Sequence, residues 1–180
     1  MARPAIMLDR DGVINVDSDA YIKSVDEWHP LPGSLDAIAR LSRAGWVIAV
    51  CTNQSGVGRG LFTDDTVSAI HAELQRRLAA LGGRVDGFFY CPHTPEADCS
   101  CRKPKPGLLT QAAAALSFPL QGTPFVGDSR RDTDAARAVG ATPVLVRTGK
   151  GTRTIADGAG LPCWIEDDLM AVVTRLLDND

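Results

Sequence analysis

Ala5-Ile6-Met7-Leu8-Asp9-Arg10-Asp11-Gly12 is the stretch that decides the fold of this 180-residue chain. Four apolar residues run without a break and stop at a carboxylate. Such a run, closed by charge, reads as a strand buried on both faces, as in a parallel sheet. Loops at the carboxyl ends of parallel strands build active sites. Asp9 and Asp11 therefore emerge where chemistry is done, and Gly12 lets the chain turn beneath them. Two carboxylates this close repel, and a bound cation relieves the repulsion. A strand followed by a polar turn would account for this stretch taken alone; the rest of the chain argues for more.

Working outward, apolar runs alternate with helical patterns. Val47 to Cys51 is a second strand candidate, and Thr63 is a good N-cap for a helix running to about Leu81, where Gly82-Gly83 stops it. Phe88 to Tyr90 is a third strand and Leu108 to Leu116 an alanine-rich helix. Phe125-Val126 is a fourth strand, Arg131 to Val139 a helix, and Val144 to Val146 a fifth strand. A Gly- and Thr-rich loop precedes a last helix from about Asp167 to Leu177. This alternation predicts an α/β fold, a Rossmann-like parallel sheet sandwiched by helices. No linker or internal repeat interrupts it, so residues 1–180 are expected to form a single domain.

Composition narrows the function. The net charge is −3, from 19 basic and 22 acidic residues. No basic block offers a footprint for nucleic acid, and no apolar run is long enough to span a bilayer. Charges at residues 9–11 make the N-terminal apolar segment too short for a signal peptide. The chain is expected to be cytoplasmic, with no nucleic-acid or membrane partner. Five cysteines, an odd number, argue against a disulfide framework and for metal binding or catalysis.

Polar groups fall at strand ends. The first strand ends in Asp9-Arg10-Asp11, the second in Thr52-Asn53-Gln54-Ser55-Gly56, the fourth in Gly127-Asp128-Ser129. In a parallel sheet these ends share one edge. Asp9, Asp11 and Asp128 would form an oxygen-only cluster suited to Mg²⁺, which often bridges to phosphate. Thr52 and Lys103 would donate to phosphate oxygens. The loop Ser55 to Gly60 would add backbone N–H groups and the Arg59 guanidinium.

Cys91-Pro92-His93, five residues, then Cys99-Ser100-Cys101 supply three thiolates and an imidazole within an eleven-residue span. That is a closed Cys₃His zinc pattern with no open position, hence structural. The adjoining run Arg102-Lys103-Pro104-Lys105 would be held by the metal, since structural zinc contributes on the order of 10 kcal/mol in small peptides. Cys51 and Cys163 read as inert core thiols. His29 and His71 read as surface or core residues, and Trp28, Trp46 and Trp164 as packing groups.

With these residues placed, the chain resembles the haloacid dehalogenase superfamily of phosphatases over nearly its whole length. Asp9-x-Asp11-Gly12 matches the first motif, Thr52 the second, Lys103 the third and Gly127-Asp128-x-x-x-Asp132 the fourth. The zinc loop and the segment Thr52 to Gly60 are similar to a branch acting on sugar bisphosphates in lipopolysaccharide synthesis. The histidinol-phosphatase branch shares the zinc loop; Arg59-Gly60 favours the sugar branch. Polynucleotide 3′-phosphatases carry a similar Thr-Asn-Gln segment but fit an acidic chain with a zinc loop less well.

The resemblance implies a haloacid-dehalogenase-like fold without a large cap domain, acting as a monomer on a small sugar phosphate. Asp9 would attack phosphorus and form an aspartyl-phosphate, and Asp11 would protonate the leaving alkoxide and then activate water. Mg²⁺ would be held by Asp9, Asp128 and the backbone carbonyl of Asp11. Thr52 and Lys103 would stabilise the transferring oxygens. Substrate contacts are expected from Asp17, Tyr21, Asn53, Gln54, Ser55, Arg59, Arg102 and Ser129. Arg59, Arg102 and Lys105 are the cations expected to hold a second anion.

Overall fold

Ile6 and Leu8 turn to one face of a sheet and Ala5 and Met7 to the other, and the two faces hold separate cores. A strand side chain alternates with period two, so a strand with layers on both sides must be apolar throughout. This is why Ala5–Leu8 (β1) reads as an unbroken run and is wholly buried. The computed structural model describes residues 3–158 and 161–178.

The remaining strands are Val47–Asn53 (β2), Gly87–Cys91 (β3), Pro124–Gly127 (β4), Thr142–Val146 (β5) and Trp164–Glu166 (β6). All pair in parallel, in the order β3-β2-β1-β4-β5-β6. The chain winds outward from β1 through β2 to β3, then restarts at β4 on the other side. β1 and β4 thus flank the point where strand order reverses, the place where open α/β sheets bind ligands.

Six helices cover the sheet. Ser34–Arg43 (α1), Asp64–Ala80 (α2) and Leu169–Asp178 (α6) supply the core around Ile6 and Leu8. Gly107–Leu116 (α3) and Arg130–Ala138 (α4) supply the core around Met7. Gly151–Ala156 (α5) follows β5. Fully burying one of the larger aliphatic side chains contributes about 1.5–3 kcal/mol. Ile6, Leu8, Ile48 and Val50 are all at 0% exposure, so an acid at any of them would leave an unpaired charge in the core.

Thr63 caps α2 as expected, its hydroxyl accepting from the Thr66 N–H at 3.3 Å. Three of these named elements carry no clear signal in the sequence. α1 begins at a glycine without a side-chain cap, so its start carries no signal. β6 is three half-buried residues at the sheet edge. α5 lies in the Gly- and Thr-rich stretch expected to be a loop. Cys163 is half-buried rather than a core thiol. No helix among the described residues is long and apolar enough to cross a membrane.

Candidate active site

The end of β1 meets the end of β4 directly: the Asp9 N–H donates to the Val126 carbonyl at 2.8 Å. Asp9 Oδ1 accepts from the Arg10 backbone N–H at 2.8 Å and lies 3.0 Å from Lys103 Nζ. Both contacts fall on Oδ1, which leaves Oδ2 as the oxygen free to meet an electrophile. Burial raises the Asp9 pKa well above the carboxylate range, repulsion from Asp132, Asp128 and Asp11 adds to it, and Lys103 opposes it.

Asp11 is turned elsewhere. Its Oδ1 accepts from Asn15 Nδ2 at 2.9 Å and Arg10 Nε at 3.0 Å, and its Oδ2 from Gln54 Nε2 at 2.9 Å. Burial pushes this carboxyl up, but the Arg10 guanidinium and these donors outweigh it and hold the pKa below its ordinary value. Asp11 therefore rests as a carboxylate, the form a general base needs.

Thr52 and Gln54 come from the end of β2. One Gln54 Nε2 serves both Thr52 Oγ1 and Asp11 Oδ2. Asn53 clamps the backbone of Lys103, its Nδ2 donating to the Lys103 carbonyl and its Oδ1 accepting the Lys103 N–H, each at 3.1 Å. Both amides thus support other site residues as well as lining the cavity. The loop after them narrows the expectation of free backbone donors. The N–H groups of Gln54, Val57, Gly58, Arg59 and Gly60 bond to the carbonyls of Cys91, Gln54, Pro92, Ser55 and Val57. These bonds seat the loop on the Cys91 segment and leave none of those donors for phosphate; Arg59 still lines the cavity.

Lys103 is 2% exposed, and its Nζ contacts Asp132 Oδ1 at 2.7 Å, the Cys51 carbonyl at 3.0 Å and Asp9. Burial would lower its pKa, but Asp132 and Asp9 more than compensate, so it stays protonated. Asp132 Oδ2 accepts from the Ser129 N–H and hydroxyl at 3.1 and 2.8 Å. Asp132 is thus the group that orients Lys103 and Ser129, a role its sequence position did not reveal.

Asp128 follows β4 and is held from the β5 side. The Lys150 N–H donates to Asp128 Oδ2 at 2.8 Å, Thr154 Oγ1 donates to the Asp128 carbonyl at 2.8 Å, and Thr148 Oγ1 donates to the Gly12 carbonyl at 2.7 Å. Gly12 (φ 84) and Gly149 (φ 58) press on Asp128, and a Cβ on either would overlap its carboxylate. Burial, then repulsion from Asp132, pushes the Asp128 pKa up to about 7.

Oxygens of Asp9, Asp128 and Asp132 lie within 4.8 Å of one another. Asp132 already serves Lys103 and Ser129, so Asp9 and Asp128 are the pair available to a hard cation. Burial first, then repulsion among the acids, raises both pKa values, and an all-oxygen donor set fits Mg²⁺. The Asp11 side chain is committed to Arg10, Asn15 and Gln54, so only its backbone could join them.

In the loop after β3, Cys91 Sγ and Cys101 Sγ each lie 3.5 Å from Cys99 Sγ. His93 Nδ1 lies 3.6 Å from Cys91 Sγ and 3.4 Å from Cys101 Sγ. A tetrahedron built on metal–ligand distances of about 2.0–2.3 Å has edges of roughly 3.3–3.8 Å. The four side chains therefore fit one ion. Burial pushes the Cys99 thiol up, but the Arg102 N–H and neighbouring groups pull its pKa down to about 6, toward the thiolate.

A cavity of about 250 Å³ opens over these groups. Of the predicted residues, Asp9, Asp11, Asp17, Tyr21, Thr52, Asn53, Gln54, Ser55, Arg59, Arg102, Lys103, Asp128 and Ser129 all line it. Lys105 does not; it is drawn off to Asp98 at 2.5 Å, so the expectation that it faces substrate is corrected. Two cations that sequence reasoning missed, Arg131 and Lys150, take part instead. Arg131 lies in the first turn of α4 and Lys150 just past the end of β5; the strand-end rule would have flagged the second. Lys150 Nζ pairs with Asp17 Oδ2 at 3.2 Å. Burial, then repulsion from Arg131, lowers the Arg102 pKa, and Arg59 adds to it. Three guanidiniums crowd one wall, an arrangement that an anion would relieve.

The HAD-hydrolase-like family model matches residues 100–171, which include Lys103, Asp128 and Asp132. A D-glycero-beta-D-manno-heptose-1,7-bisphosphate 7-phosphatase of Pseudomonas putida is 55% identical over 96% of this chain and 98% of its own. The enzyme of that name from Pseudomonas aeruginosa is 53% identical over 98% of this chain and 99% of its own. The crystal structure of D,D-heptose 1,7-bisphosphate phosphatase from B. bronchiseptica, complexed with magnesium and phosphate, superposes with a TM-score of 0.95 at 51% identity, covering 98% of this chain and 99% of that one.

Proposed function

Because this chain belongs to the haloacid-dehalogenase-like phosphatases named for heptose 1,7-bisphosphate, we propose that it removes the 7-phosphate from D-glycero-D-manno-heptose 1,7-bisphosphate. The single observation that carries the chemistry is Asp9, fixed through Oδ1 by Lys103 and the Arg10 N–H with Oδ2 left to attack. Asp11, a carboxylate at rest, takes up a solvent proton as substrate binds; Asp9 Oδ2 then forms a bond to phosphorus as the ester O–P bond breaks, and Asp11 delivers that proton to the departing alkoxide. Water then attacks the aspartyl-phosphate, Asp11 takes the proton back, and phosphate leaves. Thr52 and Lys103 would hold the equatorial oxygens during both transfers. Mg²⁺, held by Asp9, Asp128 and the Asp11 backbone carbonyl, would supply charge neutralisation on the transferring group.

The fit of Cys91, His93, Cys99 and Cys101 to a tetrahedron supports a structural zinc. Its role is to stiffen the loop that presents Arg102 and Lys103. The sugar contacts fall to Asp17 and Tyr21 at the rim, with Ser55 and Ser129 nearby. Arg59, Arg102 and Arg131 are the cations suited to a second phosphate; a histidinol phosphate would bring a cationic amine to the same wall. A heptose bisphosphate substrate fits lipopolysaccharide synthesis. Use of cysteines as metal ligands fits a reducing, cytoplasmic setting. The chain would act there as one domain and a monomer.

Turnover of heptose 1,7-bisphosphate and of histidinol phosphate by the purified Mg²⁺-loaded protein tests the reading. Higher kcat/KM on the bisphosphate is expected. Preference for histidinol phosphate would overturn the substrate, and no turnover of either would overturn the activity.

A further inference from the structure

Arg10 is wholly buried and sits between the two catalytic aspartates in sequence, yet its side chain points away from the cavity floor toward α2. Its Nε donates to Asp11 Oδ1, and Nη2 lies 2.9 Å from the same oxygen, off the angle of a hydrogen bond. The remaining amino group, Nη1, meets His71 Nε2 on α2 at 3.4 Å. The imidazole is in turn fixed by β3. It stacks on Phe88 at 4.4 Å between centroids and meets Tyr90 edge-on at 6.1 Å. The Tyr90 hydroxyl closes the circuit back to α2, donating to Asp64 Oδ1 at 2.6 Å.

We infer that His71 is a positioning residue for the proton transfer made by Asp11, acting through Arg10. Three observations meet here. The Asp11 carboxylate takes one of its three side-chain hydrogen bonds from Arg10, together with the Nη2 ion-pair contact at 2.9 Å. His71 is the described acceptor that holds the far edge of the guanidinium. And an imidazole 6% exposed, clamped by two rings, cannot drift away from that duty. Because a guanidinium only donates, His71 Nε2 must carry the lone pair, so the ring proton resides on Nδ1. Loss of the acceptor lets the planar fork tilt, and with it the oxygen that must reach the leaving group. Misplacement by a fraction of an ångström is enough to slow a proton transfer.

This inference rests on Asp11 as the proton donor, and the test separates the two. The reading of kcat/KM stops at the first irreversible step, release of the leaving group. A sugar alkoxide needs a proton there; p-nitrophenolate leaves as a stable anion and does not. His71→Leu removes the acceptor and keeps the bulk, whereas His71→Gln puts a carbonyl oxygen near the place of Nε2. With heptose bisphosphate, His71→Leu should lose about three- to tenfold in kcat/KM, the range for one hydrogen bond. With p-nitrophenyl phosphate it should change less than about twofold on the same scale, and His71→Gln should recover most of the loss. Asp11→Asn is the control and should show the same split, only larger. If Asp11→Asn slows both esters alike, the proton-donor reading fails. If Asp11→Asn splits them but His71→Leu slows both alike or neither, His71 is packing only. Should His71→Leu not fold, nitrogen NMR of the unaltered protein decides: a proton found on Nε2 overturns the inference, and one on Nδ1 supports it.

Discussion

The Gln54 amide nitrogen donates at 2.9 Å to Asp11 Oδ2, the one Asp11 oxygen that Arg10 and Asn15 leave open. The same nitrogen lies 2.9 Å from Thr52 Oγ1, so the end of β2 registers the acid/base against the phosphate-binding hydroxyl. Gln54→Leu should lower kcat/KM about tenfold to a hundredfold, the range for a hydrogen bond to a charged group. Gln54→Glu should be at least as slow, because it sets a second carboxylate against Asp11. Near-normal activity of Gln54→Glu would show that this contact plays no part.

Asp9→Asn keeps the shape and removes the attacking charge. Turnover should disappear while thermal unfolding stays cooperative. Steady-state assays beside calorimetry check this, and substantial residual turnover would remove Asp9 from the nucleophile role.

Zinc should accompany the purified protein at about one ion per chain, the stoichiometry of a closed four-ligand site. Cys99→Ser should lower Tm by several degrees, since each kcal/mol shifts Tm by about 2–4 °C at this chain length. Activity should fall as well, because the loop carries Lys103. Elemental analysis of protein never exposed to chelator settles the stoichiometry.

Arg102→Ala should discriminate between substrates. It lines the cavity with Arg59 and Arg131, whose charges act on it, and takes no part in the Lys103–Asp9 contact. The variant should lose roughly tenfold to a hundredfold in kcat/KM on the bisphosphate, the range for a charge-assisted hydrogen bond, and much less on a simple monophosphate. Equal losses would place Arg102 on the transferred phosphate or in the fold.

His71 also makes stability depend on pH. Burial first, then the Arg10 charge, push its pKa down to about 3, with Asp11 opposing. In the unfolded chain it titrates near about 6.5. Below that pH the unfolded state gains a proton that the folded state refuses, so stability falls as pH drops from about 6.5 toward 3. Between pH 7 and 5.5 this costs about 1 kcal/mol, given about 1.4 kcal/mol per pH unit below the unfolded pKa. Asp128, with its pKa pushed up to about 7, acts in the opposite direction over this range, and Asp9, also raised, has the same sign. Denaturant unfolding of the protein and of His71→Gln, compared at the two pH values without Mg²⁺, isolates the histidine. Parallel losses in the two proteins would refute it.

What the sequence made legible were features with strong local signals. β1 announces itself by an unbroken apolar run, the metal loop by four ligands in close spacing, and the floor of the site by acids at strand ends. The hidden parts depend on tertiary direction. Asp132 belongs to the fourth motif, but its role is unreadable until Lys103 is seen beside it. The glycine-rich loop suggested free donors because sequence does not say where backbone N–H groups go; turns within the loop and one bond to Pro92 take up those of Val57, Gly58, Arg59 and Gly60. Lys105 and Arg131 exchange places because a neighbouring Asp98 pulls one out while a helix turn brings the other in. α1 starts without a capping side chain and so has no readable beginning.

Gly12 and Gly149 close on Asp128 from two loops that belong to opposite halves of the sheet. The floor of this cavity is consequently a keystone joint, in which no stone can be enlarged without moving the other two. Any future change of substrate, by evolution or by engineering, must therefore be written in the rim, around Asp17, Tyr21, Arg59 and Lys150, where side chains meet solvent and can be exchanged one at a time.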